Sequence, residues 1–249
     1  MRERDLTGRD GKFIVEGKVT LDVFLSRSRF KPDSIFLETG RLPVLAPLLE
    51  NLADDVPVYT ADQPVMDQIV GFPIHRGILA CGRKDDAAPL SDWLKTDGHS
   101  TLVVAIGLSN HDNAGALFRN SAALGGDAII LDETSCDPLY RKSIRVSAGT
   151  ALWLPFHHGA AADEIFNVLE ASGYTLWPLT PGRTATSLYE VEQPEKLAII
   201  LGPEGPGLPD ELIARGEAIR IPMSNEVDSL NVATSLAIVL SQRLSKTAP

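Results

Sequence analysis

The chain has only two cysteines in 249 residues, Cys81 and Cys136, far apart and outside any CxxC pattern. That argues against a disulfide framework and a zinc site, and it fits a reducing cytoplasm. No apolar run is long enough to span a bilayer. The opening stretch MRERDLTGRDGKF lacks the apolar core of a secretory signal. His75, His99, His157 and His158 have no Cys or acidic partner at ligand spacing, so no metal is expected. Positive charge is also scarce: 23 Lys and Arg stand against 33 Asp and Glu, a net charge of −10. Phosphate contacts need Lys and Arg, so this balance weighs against a nucleic-acid partner. The distribution softens the point. Residues 1–31 hold Arg2, Arg4, Arg9, Lys12, Lys18, Arg27, Arg29 and Lys31 against five acids. A local basic face and an ordinary solvated surface both remain open.

What is present reads as a globular α/β protein with room for one or two domains: 44% of residues are hydrophobic and 22% charged. Strands are expected at 13–15, 34–37, 56–59 and 78–80, alternating with helices at 19–25, 44–52 and 65–70. In the first helix Val19, Val23 and Phe24 are expected to share a face. This N-terminal unit is assigned to residues 1–83. The polar stretch that begins at RKDDAAPLSDW is read as a linker, 84–99. A second domain, 100–249, restarts the alternation. Strands are expected at 102–106, 128–131, 153–156, 174–177, 197–201 and 218–221, with helices at 113–124, 160–171 and 230–244. The run Leu102–Ile106 is continuously apolar, as in a strand buried on both faces of a parallel sheet. The fold class is therefore α/β with a mainly parallel sheet and helices on both faces. Trp93, Trp153 and Trp177 are read as packing residues.

In such sheets ligands bind beyond the carboxyl ends of the strands. Three loops there are unusual. The first runs Gly107 to Arg119. Asp112 or Asn113 is a candidate cap for the helix that follows, with Asn110-His111 in the loop. Gly115 and Ala116 leave space for close approach, and Arg119 shares their helix face three and four residues on. An arginine so placed suits an oxyanion or phosphate, though a surface charge is an equal reading. The second loop, Leu201-Gly202-Pro203-Glu204-Gly205-Pro206-Gly207-Leu208, is neither a P-loop nor a dinucleotide fingerprint. Its glycines and prolines fix a particular backbone path. The third runs from Ile221 to Ala233, with Asp228 or Ser229 capping a long apolar helix, which leaves Asn231 unexplained.

In order and spacing these loops resemble the three signature motifs of the SpoU/TrmH family of RNA ribose methyltransferases. Asn113, Gly115 and Arg119 match its Asn-x-Gly-x-x-x-Arg element. Gly202, Glu204, Gly205 and Gly207 match its Gly-x-Glu-Gly-x-Gly loop. Ile221, Pro222, Met223, Ser229, Leu230 and Asn231 match its Ile-Pro-Met…Ser-Leu-Asn ending. Arg145-Val146-Ser147-Ala148-Gly149 is similar to the segment between the first two. One departure is Asn110-His111, where the family commonly has Asp-Pro. The resemblance is strong over about 100–245. It is weaker for the N-terminal unit, which is similar to the family's small substrate-binding domain through Phe13-Ile14-Val15-Glu16-Gly17.

The resemblance implies a C-terminal trefoil knot, a homodimer, and S-adenosylmethionine as cofactor. It implies cofactor contacts at Gly202, Gly205, Ile221, Pro222, Met223 and Leu230. The implied catalytic group is Arg119 with Asn113, Glu204, Ser229 and Asn231. The implied reaction is methyl transfer to a ribose 2′-hydroxyl of RNA in the cytoplasm, ribosomal RNA before transfer RNA, with no DNA and no membrane. Two other readings are a family member that binds RNA without catalysis, and a small-molecule α/β enzyme, which the acidic charge favours.

Overall fold

The structure is a computed structural model that describes residues 11–50, 52–71, 74, 76–84, 89–95, 97–224 and 226–247. Arg2, Arg4, Arg9 and His75, and parts of the expected linker (85–88 and 96), lie outside the described residues. The elements run β1 (Lys12–Glu16), α1 (Lys18–Arg27), β2 (Lys31–Glu38), α2 (Leu42–Leu49), β3 (Val58–Ala61), α3 (Gln63–Val70), β4 (Ile78–Arg83), β5 (Ser100–Ala105), α4 (His111–Ala123), β6 (Ala128–Asp132) and α5 (Arg141–Val146). They continue with β7 (Phe156–Ala160), α6 (Ala162–Ala171), β8 (Thr175–Pro178), β9 (Thr186–Ser187), β10 (Lys196–Leu201), α7 (Asp210–Ile213), β11 (Ile219–Arg220) and α8 (Val232–Thr247). The chain packs as two compact units, Met1–Asp86 with Pro138–Trp153, and Ala87–Asp137 with Leu154–Pro249.

The first unit is built on a mixed four-stranded sheet in the order β1-β4-β2-β3, in which only β2 and β3 run parallel. Period-two alternation in β1 sends Phe13 and Val15 into the core. The rings of Phe24 and Phe30 meet Phe13 edge-on, with centroids 5.7 and 5.3 Å away. The inner stripe of α1 is Thr20, Leu21 and Phe24. Val19 is 63% exposed, so the expected Val19–Val23 face is displaced by one position toward Thr20 and Leu21.

This unit also takes in Pro138–Trp153, a segment that leaves the second unit after β6 and returns before β7. Buried Glu16 accepts a 2.8 Å hydrogen bond from Arg141 at the start of α5. Arg27 lies over the Trp153 ring, 3.4 Å from its centroid. Between them Gly149 presses on α1. A Cβ there would stand 2.9 Å from Val23, and its φ of +85° is one that side chains resist. Trp153 is thus a packing residue of this unit, and the strand expected at 153–156 begins at Phe156 instead.

The second unit holds a five-stranded, wholly parallel sheet in the order β7-β6-β5-β10-β8. Every residue of β5 and of β6 is buried, as the continuous apolar run requires. From β5 the chain moves outward to β6 and β7, then crosses to β8, and β10 fills the place between β8 and β5. The order therefore reverses between β5 and β10, where α/β sheets open a crevice. Trp177 of β8 is fully buried. The C-terminal helix is tied down by Arg243, which is 4% exposed. It donates to Thr101 Oγ1 at 2.7 Å and to the Pro194 and Glu195 carbonyls at 2.8 and 3.0 Å. Among the described residues no helix is long and apolar enough to cross a membrane.

Candidate active site

The site is built from the loops that leave β5, β8 and β10, three neighbouring parallel strands whose carboxyl ends share one edge. After β5 the chain turns at Gly107 and enters α4. The cap of that helix is Asn110, whose side-chain oxygen accepts from the Asp112 N–H at 2.8 Å. Asp112 and Asn113 are therefore not the cap, and His111 is the first helical residue rather than a loop residue. This accounts for the departure at Asn110-His111. Asn caps as well as Asp does, and the first helical position makes no intrahelical N–H bond, so His fits there as well as Pro, which has no N–H to give.

Starting the helix at His111 puts Asn113 inside the first turn, buried, with its carboxamide free for tertiary contacts. Its Nδ2 donates to Glu204 Oε1 in the loop after β10. Its Oδ1 accepts from Asn231 Nδ2 at 3.0 Å. Asn231 in turn uses its own Oδ1 to accept from the N–H groups of Ala233 and Thr234, at 2.9 and 3.2 Å. Asn231 is thus the cap of α8, in place of Asp228 or Ser229. The order of donors is forced. The Asn231 oxygen is spent on the helix, so only its NH₂ can face Asn113, and the Asn113 NH₂ is left to face an acceptor-only carboxylate. One relay, Glu204–Asn113–Asn231, joins all three loops.

Beside the relay lies a cavity of about 620 Å³, within the range of small-molecule sites. Gly202, Glu204, Gly205, Ile221, Met223, Ser229, Leu230 and Asn231 line it. Pro222, Asn113 and Arg119 are not in its wall. Arg119 stands exposed on α4, with no hydrogen bond or ion pair among the described residues. The wall at Gly202 is backbone against backbone. A Cβ there would meet Leu208 N at 2.5 Å and the Gly207 carbonyl carbon at 2.8 Å. The cavity has a further wall that the sequence reading missed, Leu179-Thr180-Pro181-Gly182, with Asp210 and Ile213 beyond it. The signal was available, since Thr180-Pro181-Gly182 is a turn directly after a strand, on the same edge as the other loops. Among the described residues two carboxylates, Glu204 and Asp210, and no Lys or Arg line the cavity, a composition that suits a cationic ligand.

The chain is similar to known proteins in sequence and in fold. Residues 100–241 match the model of the SpoU rRNA Methylase family. A tRNA/rRNA methyltransferase of Mycobacterium bovis, itself uncharacterized, is 36% identical over 97% of this chain and 84% of its own length. The 23S rRNA (guanosine-2′-O-)-methyltransferase RlmB of Salmonella typhimurium is 26% identical over 91% of this chain and 96% of its own. The fold is similar to that of the SpoU methyltransferase AviRb from Streptomyces viridochromogenes, solved in complex with AdoMet. The TM-score is 0.84 at 17% identity, covering 98% of this chain and 94% of that one.

Proposed function

The chain belongs to the SpoU rRNA methylase family, and on that premise we propose that it transfers a methyl group from S-adenosylmethionine to a ribose 2′-hydroxyl of ribosomal RNA. The observation that carries the proposal is the relay Glu204–Asn113–Asn231 standing at a cavity lined by two of the three signature loops. The residues present fit the cofactor: the volume is adequate, the Gly202 wall is bare backbone, and the charged lining groups are acidic. When bound, the cofactor supplies an activated methyl on a sulfonium.

Gly202, Gly205, Ile221, Met223 and Leu230 would hold it, with Pro222 stiffening the turn between Ile221 and Met223. Arg119 binds an RNA phosphate and stabilises the developing alkoxide. A guanidinium stays protonated in proteins, so the proton of the 2′-hydroxyl goes to another group. Glu204 is that base, aimed by the Asn113 carboxamide. Asn231 holds Asn113 in turn, and Ser229 adds a polar contact in the cavity wall. Holding the 2′-oxygen in line with the methyl is worth about 7–11 kcal/mol, and a positioned base a further 10²–10⁴-fold, roughly.

The first unit is the RNA-docking part, and its charge supports that role. Met1–Asp86 with Pro138–Trp153 carries 15 Lys and Arg against 14 Asp and Glu, whereas the remainder carries 8 against 19. The segment Pro138–Trp153 adds Arg141, Lys142 and Arg145 with no acid, and Lys142 and Arg145 share an exposed face of α5. The division proposed for the chain is 1–83 as the substrate domain, 84–99 as the linker and 100–249 as the methyltransferase domain with the family's trefoil knot, except that Pro138–Trp153 packs with the first unit. The working form is a homodimer in the cytoplasm. A transfer-RNA substrate is the second reading, favoured by the tRNA/rRNA name of the mycobacterial relative.

The test is transfer of tritiated methyl from S-adenosylmethionine to deproteinised ribosomal RNA and, separately, to bulk transfer RNA. Labelled ribosomal RNA with an alkali-resistant linkage is expected, and Arg119→Ala abolishes labelling while leaving cofactor affinity nearly intact. No label in either RNA ends the proposal.

A further inference from the structure

We infer that Asp132 is a positioning residue of the active site, one that sets the loop after β5 against the loop after β10. This rests on the methyltransferase reading above. Asp132 ends β6 and is 2% exposed, so its carboxylate sees almost no water. Its Oδ1 accepts from the Gly107 N–H at 2.9 Å and from the Ser135 hydroxyl at 2.5 Å. Its Oδ2 accepts from the Thr134 hydroxyl at 2.5 Å. The Ser135 oxygen then accepts from the Leu108 N–H at 2.9 Å, and the Leu108 carbonyl accepts from the Cys136 N–H at 2.7 Å. Two successive amides at the start of the first signature loop are thus held by one buried acid and its serine.

The consequence reaches the relay through contact. Gly107 adopts φ +64°, and a Cβ on it would lie 3.3 Å from Pro203. The residue after Pro203 is Glu204, which accepts from Asn113, and Asn113 lies on the helix that the Gly107 loop feeds. The sequence Asp132, Gly107, Pro203, Glu204, Asn113 closes a ring back to the first loop. The Asp132 carboxylate gives the Gly107 N–H and the Thr134 and Ser135 hydroxyls an acceptor that an apolar side chain would take away. Its use here is to fix two amide directions, which an apolar residue cannot do.

The experiment compares the full chain with Asp132→Leu and Asp132→Asn. Three quantities are read: S-adenosylmethionine affinity by calorimetry, single-turnover transfer to ribosomal RNA, and deuterium exchange at the Gly107 and Leu108 amides without ligand. Asp132→Leu is expected to slow transfer by about 10²-fold, the effect of roughly an ångström of misplacement. Cofactor affinity is expected to hold, and the two amides to exchange faster. Asp132→Asn keeps an Oδ1 acceptor and is expected to restore protection and most of the turnover. Ser135→Ala, which removes the Leu108 acceptor, should move the same readouts in the same direction should the leucine variant fail to fold. Normal turnover in the variants that lose the acceptor overturns the inference. So does a parallel loss of cofactor affinity and turnover, which general destabilisation would give. Absence of transfer by the unaltered chain overturns the methyltransferase reading instead, and the exchange measurement then decides the role of Asp132 by itself.

Discussion

Asn231 performs two tasks with one carboxamide, and substitution can separate them. Its oxygen caps α8 and its NH₂ holds Asn113. Asn231→Ala removes both. Loss of a cap costs about 1 kcal/mol, and loss of a partly buried hydrogen bond about 1 kcal/mol more. At about 2–4 °C per kcal/mol for a unit of this size, the melting temperature of the catalytic unit should fall by about 4–8 °C. Asn231→Asp restores a good cap, and its charge suits a helix N-terminus. It cannot donate, however, so the Asn113 oxygen faces another acceptor and the aim of Glu204 is lost. Calorimetric melting should therefore rank Asp above Ala by about 2–4 °C, while single-turnover transfer should be low in both. An aspartate variant that melts no higher than alanine refutes the capping assignment. One that transfers methyl at the normal rate refutes the relay.

Gly202→Ala drives a Cβ into the Leu208 nitrogen and the Gly207 carbonyl carbon. Overpacking of this kind costs about 1–3 kcal/mol, so cofactor affinity should fall on the order of ten- to a hundredfold, and unchanged binding by calorimetry would move the pocket elsewhere. Lys142→Glu with Arg145→Glu should weaken binding of ribosomal RNA and flatten its salt dependence by about 0.7 in log–log slope per lost single-strand phosphate contact, with cofactor affinity unaffected. An unchanged slope would remove α5 from the RNA face. Burial pushes the Cys136 thiol up to about 11, which favours the protonated form. Alkylation by iodoacetamide should therefore be slow at pH 8 and accelerate only toward pH 11, and rapid modification at pH 8 would contradict the burial.

The amino-acid sequence alone determined the class of fold and pointed to the three loops that the structure brings together at one cavity. Leu102–Ile106 and Leu197–Leu201 are short unbroken apolar runs followed by glycine-bearing loops, and runs of that length and flanking read as strands covered on both faces. Glycine and proline punctuation marked the 201–208 turn for the same reason, since backbone freedom and restriction are properties of single residues. Local pattern could not choose among equals. Asn110, Asp112 and Asn113 all cap helices well, as do Asp228, Ser229 and Asn231. Tertiary structure chose, because Asn113 is claimed by Glu204, 91 positions away, and by Asn231, 118 positions away. The same holds for Pro138–Trp153, whose place in the first unit depends on Arg141 meeting Glu16 across 125 positions and on Gly149 fitting against Val23. It holds too for the Leu179–Gly182 wall, which becomes part of a cavity only when β10 inserts between β8 and β5. Periodicity and propensity act over a few residues and can be read along the chain. Partnerships between side chains a hundred residues apart exist only once the sheet has closed the distance.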